Sequence, residues 1–363
     1  MSPADWESEF DKYRASPEFK LLNPNMDLDE FKKIYWMEWF HRLWGRAIGV
    51  SFVLPAVYFV VRGKVSANMS VRLLGIAGLI GAQGFIGWWM VKSGLRDDLF
   101  APGSHPRVSQ YRLTAHLGAA FLCYLAMLWN GLSILRDRGY ISNPAAANSL
   151  LHHLSTPKLS VFRKSVVGLL VLVFTTVLSG GLVAGLDAGL IYNEFPYMGT
   201  KLTPPSSELW DRFYSRRPDG RDIWWRNMLE NPSTVQLDHR ILASTTLAAV
   251  VALWAYTRFS LKTRRLPKVV RSDVARVVHL VTLQVLLGIG TLVYLVPIPL
   301  AAAHQATALA LLTSVLVLAN RTSAPAKSLK LVRSHIGRSA NAGAKVAPLR
   351  ASRPVAGRSN FLQ

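Results

Sequence analysis

Cysteine is almost absent. The 363-residue chain has one, Cys123, which excludes an internal disulfide, a Cys-based zinc site and a CxxC redox pair. Acids are scarce too: 21 Asp+Glu stand against 42 Lys+Arg, a formal net charge of +21, and all charged residues together make up only 17% of the chain. A soluble domain of this size carries about 25% charged residues. With 50% hydrophobic residues, the deficit argues for a membrane protein whose charge lies outside its spans. Nucleic acid stays open as a partner only until the distribution of the basic residues is known.

A hydrocarbon core takes about 20 mostly apolar residues per helix. Seven runs of that kind occur, roughly over 43–61, 70–91, 113–135, 165–185, 241–257, 277–296 and 300–320, which is too many for one water-soluble core. Arg46 lies near the start of the first, and Pro297 and Pro299 leave almost no loop between the last two. Residues 1–40 are polar and acidic, with Asp5, Glu7, Glu9 and Asp11 near the start. They fit neither a secretory signal nor an Arg-rich transit peptide, so targeting is internal or an earlier segment is missing. Residues 321–363 hold nine Lys/Arg and no acid and read as a disordered basic tail.

If consecutive spans cross the membrane, the segments between them alternate sides. One side, 62–72, 136–164, 258–276 and the tail, holds 24 basic residues against two acids, Asp137 and Asp273. The other, 1–40, 92–112 and 186–238, holds 15 basic against 19 acidic. The positive-inside rule puts the C-terminus in the cytoplasm or matrix and 186–238 outside. The basic excess is therefore topological, and no nucleic-acid partner is expected.

The chain also repeats itself. His41-Arg42 opens the first span and His239-Arg240 the fifth; Gln83 and Gln284 are each followed at the fourth position by glycine, Gly87 and Gly288; the third and seventh spans open on Ala115-His116 and Ala303-His304. The unit is three helices with His on the first and third. The fourth span precedes the second unit and has no counterpart before the first. A complete duplication would be two four-helix bundles, so the expectation is an all-α membrane protein of two pseudo-symmetric bundles, the first lacking its first helix. Its parts are an outer acidic segment (1–40), an N-terminal helical unit (41–140), a C-terminal four-helix unit (141–320, including the outer loop 186–238) and the tail (321–363).

A lone His at a helix end is more often a cap or an interfacial residue. Two pairs at corresponding repeat positions and one depth point instead to ligands, since ionisable residues inside a membrane are rare and functional and facing histidines are how bundles hold haem or metal. Bis-His haem suits the apolar walls better than zinc or copper, because no Cys or carboxylate completes a third ligand in the second unit. His105, His152, His153, His279 and His335 lack this placement and read as surface or loop residues. Glu38 lies three residues before His41, on the same helix face; the matching residue in the second unit is Gln236. A carboxyl desolvated at a hydrophobic boundary can exchange protons near neutrality, so the first unit looks reactive and the second a passive cofactor site. The alternative for Glu38 is a solvated acid of the outer segment.

Six ordered stretches carry a family resemblance: Trp36–Arg46 (WMEWFHRLWGR), Gln83–Leu95 (QGFIGWWMVKSGL), Arg107–Gly118 (RVSQYRLTAHLG), Ser179–Gly199 (SGGLVAGLDAGLIYNEFPYMG), Asn231–Leu242 (NPSTVQLDHRIL) and Pro299–Ala308 (PLAAAHQATA). Over about residues 5–320 the chain resembles haem A synthase, the Cox15/CtaA family. The resemblance implies an oxidoreductase that converts the C8 methyl of haem O to the formyl of haem A for cytochrome c oxidase. It implies haem b on His239 and His304, and substrate haem O addressed by His41 and His116. Glu38 then handles protons or steadies a cationic intermediate. By position Arg42 and Arg240 are candidates for haem propionates, a helix-boundary anchor being the equal alternative. Implied partners are haem O synthase, an electron donor not identified by sequence and membrane lipid; the sequence leaves a homo-oligomer open. Family members have eight spans, so the absent one is the first. Paired loop cysteines of many bacterial members are lacking here, which excludes electron transfer through a loop disulfide and indicates the mitochondrial inner membrane, with a bacterial plasma membrane as the alternative. The competing functions are a di-haem b electron carrier, which needs no carboxylate beside one haem, and an assembly factor that only chaperones haem.

Overall fold

The computed structural model describes residues 1–95, 99, 107–263, 266–323 and 326–346. Among these residues the chain forms helices and no strand. In order they are α1 (Pro3–Arg14), α2 (Pro17–Leu22), α3 (Leu28–Val61), α4 (Ala67–Ser93), α5 (Gln110–Ser142), α6 (Pro144–Ser155), α7 (Ser160–Gly185), α8 (Ser206–Leu209), α9 (Ile223–Glu230), α10 (Pro232–Phe259), α11 (Lys268–Val293), α12 (Ile298–Thr322) and α13 (Ala326–Val346). Seven, α3, α4, α5, α7, α10, α11 and α12, are long and apolar enough to cross a membrane. They match the seven expected runs in order, and the chain is an all-α, multi-pass membrane protein.

The helices outrun the hydropathy that announced them. α3 begins at Leu28 rather than near 43 because Asp27 accepts from the Glu30 N–H at 2.8 Å while the Glu30 carboxylate accepts from the Asp27 N–H at 3.4 Å. That reciprocal cap starts a helix in polar sequence, where a search for apolar runs is blind. Ser2 and Asp5 cap α1 the same way. Several acids of 1–40 are thus helix caps, and the segment carries its own small aromatic core: buried Phe10 stacks on Phe31, ring centres 5.0 Å apart, and Trp6 meets Tyr35 edge-on at 5.0 Å.

The main core lies in the second unit. Phe162, Val166 and Val173 of α7, Val250 of α10, Val277 and Val281 of α11 and Leu312, Val315 and Leu318 of α12 form one buried cluster, joined by Phe121 of α5. Of α3 only Phe31 is fully buried, while Phe52, Val53 and Ala56 are half-buried. α7 joins the two units by close approach: a Cβ on Gly185 would lie 2.8 Å from the Gln110 Cα and one on Gly181 3.1 Å from the Thr114 hydroxyl. Any larger residue would force α7 off α5.

Between α11 and α12 the chain reverses through Leu295 and Val296, both left-handed at φ 61° and 55°. That conformation is costly for a β-branched residue, and it is how the near-absent loop around Pro297 is accomplished. At the inner end Asp273, 1% exposed, accepts from Arg276 at 3.0 Å and Arg321 at 2.9 Å, tying α11 to α12. Arg136 of α5 reaches the Asn320 carbonyl and the Ser323 hydroxyl.

The expectation of a disordered tail is corrected over 326–346, which is helix α13. Its buried Val332 packs with Ala147 and Leu151 of α6, and Ser328 donates to Asp137 at 2.8 Å. Composition registered the Lys/Arg excess and missed the apolar stripe beneath it. Residues 347–363 lie outside the described residues.

Candidate functional site

His116, His239 and His304 each lie about two turns inside the N-terminus of α5, α10 and α12. His41 lies deeper still in α3, because that helix starts earlier. The sequence put these residues at span openings; they lie inside the helical layer. His41 and His116 face each other with ring centres 6.4 Å apart and planes inclined at 76°. His239 on α10 and His304 on α12 lie on helices that both pack against α7 and α11.

Three glycines make room for the rings. A Cβ on Gly87 would lie 3.1 Å from the His116 Cε1, one on Gly180 3.3 Å from that of His239, and one on Gly288 2.9 Å from that of His304. The sequence repeat had exposed Gly87 and Gly288 without a role; both are notches that admit an imidazole. Gly180 was missed, as was Ser179, whose hydroxyl lies 2.7 Å from the His239 Nδ1. The repeat-matched glutamines act differently: Gln83 donates to the His116 carbonyl at 3.3 Å, Gln284 to the His304 Nε2 at 3.3 Å. The Nδ1 atoms of His116 and His304 are buried without a hydrogen-bond partner.

A bis-imidazole haem fits this donor set. Metal to imidazole-nitrogen distances of about 2 Å, with about 1 Å more to each ring centre, put two axial rings about 6 Å apart, close to the observed separation of the first pair. Among the described residues no group of three or more His, Cys, Asp or Glu gathers as a metal cage would require. The histidines come as pairs, and the Nδ1 atoms of His116 and His304 are left without a partner.

Glu38 differs from expectation. Its side chain is 49% exposed, and Arg42 donates to its Oε1 at 2.5 Å, so the carboxyl is ion-paired rather than desolvated. Gln236, its counterpart, is buried and donates to the Tyr192 carbonyl at 2.9 Å. Arg240, the counterpart of Arg42, is engaged by backbone, donating to the carbonyls of Tyr192 (3.1 Å), Glu194 (3.0 Å), Pro196 (3.5 Å) and Tyr197 (3.1 Å). It clamps the start of the outer loop above the second histidine pair. Arg240→Ala is expected to free this loop at a cost of about 1–3 kcal/mol, the range for hydrogen bonds to a charged group. Hydrogen exchange should then quicken at 192–198, and unchanged protection there would refute the clamp.

The rest of the outer loop is folded onto both units. Tyr111 of α5 donates to Glu230 at 2.8 Å, and Arg226 bridges Glu230 (2.7 Å) and Asp222 (2.6 Å). Burial works to raise the Asp222 carboxyl, but hydrogen bonds from Ser215, Arg226 and the Arg216 N–H outweigh it and hold the group well below the usual carboxylate range. Its contribution is therefore present above the unfolded carboxylate pKa and is lost only as pH falls toward the lowered value. Tyr192 is pushed up to about 12 by burial and by its hydrogen bond to Glu208. Of the other histidines, His279 bonds the Ala275 carbonyl at 2.6 Å, His152 and His153 lie on α6 and His335 on α13. His105 lies outside the described residues.

Comparison with known proteins agrees with this architecture. Heme A synthase COX15 of Saccharomyces cerevisiae is 53% identical over 333 residues, covering 92% of this chain and 68% of the relative. The heme A synthase-mitochondrial ferredoxin fusion protein of Schizosaccharomyces pombe is 48% identical over 338 residues, and the chain spans 54% of its length. Heme A synthase COX15 of Mus musculus is 44% identical over 323 residues, covering 88% of this chain and 70% of the relative. The model of the COX15-CtaA family, described as cytochrome oxidase assembly protein, matches residues 1–316, and the chain belongs to that family.

Proposed function

We propose that the chain is a haem A synthase, an oxidoreductase that converts the C8 methyl of haem O to the formyl of haem A, with a resident haem b. The observation that carries the reading is the asymmetry between two otherwise matching histidine units: Glu38 and Arg42 form an ion pair beside His41, whereas Gln236 and Arg240 are spent on the backbone beside His239. One turn before the first histidine of each unit, the first unit carries an acid, Glu38, and the second an amide, Gln236. Methyl to formyl is a four-electron oxidation, run as two hydroxylations followed by loss of water from a geminal diol.

His239 and His304 hold the iron of haem b, which when bound supplies reversible one-electron transfer. His41 and His116 address the substrate haem. His41 is exposed on an open groove with Trp36, Met37, Phe40 and Trp44, which suits an apolar substrate arriving from the lipid. Arg42 occupies Oε1 of Glu38, leaving Oε2 to take or give a proton near the reacting carbon. The clamped outer loop keeps water from the second pair. The ferredoxin fused to the Schizosaccharomyces pombe relative supports an iron–sulfur protein as electron donor, and haem O synthase is the natural source of substrate. The higher identity to the yeast protein than to the 42% identical Nitrosospira multiformis heme A synthase supports the mitochondrial inner membrane, with the histidine ends facing the intermembrane space.

Pigment extraction from the purified protein tests the reading. The expected result is haem b together with haem O or haem A. Two b haems that do not exchange would overturn it in favour of an electron carrier.

A further inference from the structure

The four histidines are not held alike. Ser179 of α7 donates its hydroxyl proton to the Thr176 carbonyl at 2.7 Å and lies 2.7 Å from the His239 Nδ1. A hydroxyl has one proton. With that proton on the carbonyl, the Ser179 oxygen presents a lone pair to Nδ1, so the ring proton sits on Nδ1. The Thr176 hydroxyl is in turn fixed by the Leu172 carbonyl at 2.9 Å and by Thr246 of α10 at 2.9 Å. Gly180, next in sequence, supplies the notch against which the ring rests.

No other histidine of the two pairs has such a partner among the described residues. The Nδ1 atoms of His116 and His304 are buried without a hydrogen-bond partner, and the side chain of Gln284 meets His304 at Nε2.

We infer that Ser179 is a positioning residue for the resident haem: it fixes the tautomer and plane of His239 so that Nε2 points its lone pair at the iron, and it makes His239 the anchored ligand of the four. The inference rests on the proposed assignment of haem b to His239 and His304. Ligating imidazoles depend on such an acceptor at the other nitrogen, which orients the ring and raises its basicity; its loss costs about 10–100-fold in metal affinity. The same feature separates the two units by function. The second unit grips a haem that stays, held through Ser179 behind His239.

The test uses the haem-loaded protein in detergent, with Ser179→Ala, Ser179→Cys and Ser179→Thr. Two readouts apply: the midpoint potential of haem b by reductive titration, and its rate of loss to excess apomyoglobin. A hydrogen bond donated from Nδ1 makes the imidazole a stronger donor to ferric iron. Ser179→Ala is therefore expected to raise the potential and speed haem loss about 10-fold or more. Ser179→Cys, with a weaker acceptor, should fall between, and Ser179→Thr should restore both values. If Ser179→Ala does not fold, the Cys and Thr variants carry the same ordering. Unchanged potential and loss rate in a wild-type protein that does hold bis-His haem b would overturn the role of Ser179 and leave the functional reading standing. Absence of haem b from the wild type would overturn both.

Discussion

His304→Ala empties the second unit of haem b. The expected fall in occupancy exceeds the roughly 10–100-fold that removal of an outer partner of a ligand costs, because one of the two axial bonds is lost outright. Pyridine haemochrome per mole of purified protein measures it. The substitution is tolerable to the fold: the buried cluster of α12 is built from Leu311, Leu312, Val315 and Leu318, further along the helix, and the His304 ring rests in the Gly288 notch without a partner for its Nδ1. His279→Ala is the control, since that ring is exposed and bonds its own helix. Occupancy unchanged in His304→Ala would remove the histidine from the cofactor site and reopen how the second unit works.

The seven spans and their order were legible in the sequence because each buries or exposes to lipid an apolar run that hydropathy reads directly. The histidine pairs were legible because a repeat marks them at matching positions. Three kinds of feature were not. Helix extensions through polar sequence depend on caps such as Asp27 with Glu30, which hydropathy ignores. α13 alternates apolar and basic residues, so its composition resembles that of an unfolded tail although Val332 has a partner in α6. The engagement of Arg240 by loop carbonyls and of Ser179 by His239 joins residues far apart in the chain. No local pattern announces those contacts, even though Ser179 and Gly180 stand in plain sight in the SGG stretch. For Glu38, spacing marks the place one turn before His41 but not the countercharge that Arg42 supplies one turn on.

Glu38→Gln separates chemistry from architecture, and its expected effect is a fall in haem A formation of about 100-fold or more, the lower end of what a positioned acid or base contributes. Nature has in effect made the same substitution in the other half of the chain. Gln236 holds the matching place before His239 in an intact α10, four residues from Arg240, so glutamine at 38 is compatible with the helix and keeps an oxygen for Arg42. Haem b in the second unit should be untouched, because its ligands lie on α10 and α12 while Glu38 lies on α3. Extracted pigment should then contain haem b and accumulated haem O, with little haem A. Full haem A production by Glu38→Gln would return the residue to the solvated acids of the outer segment, and chaperoning of haem would become the better account of the first unit. A block confined to haem A, with haem b in place, ties the carboxylate one turn before His41 to the oxidation itself.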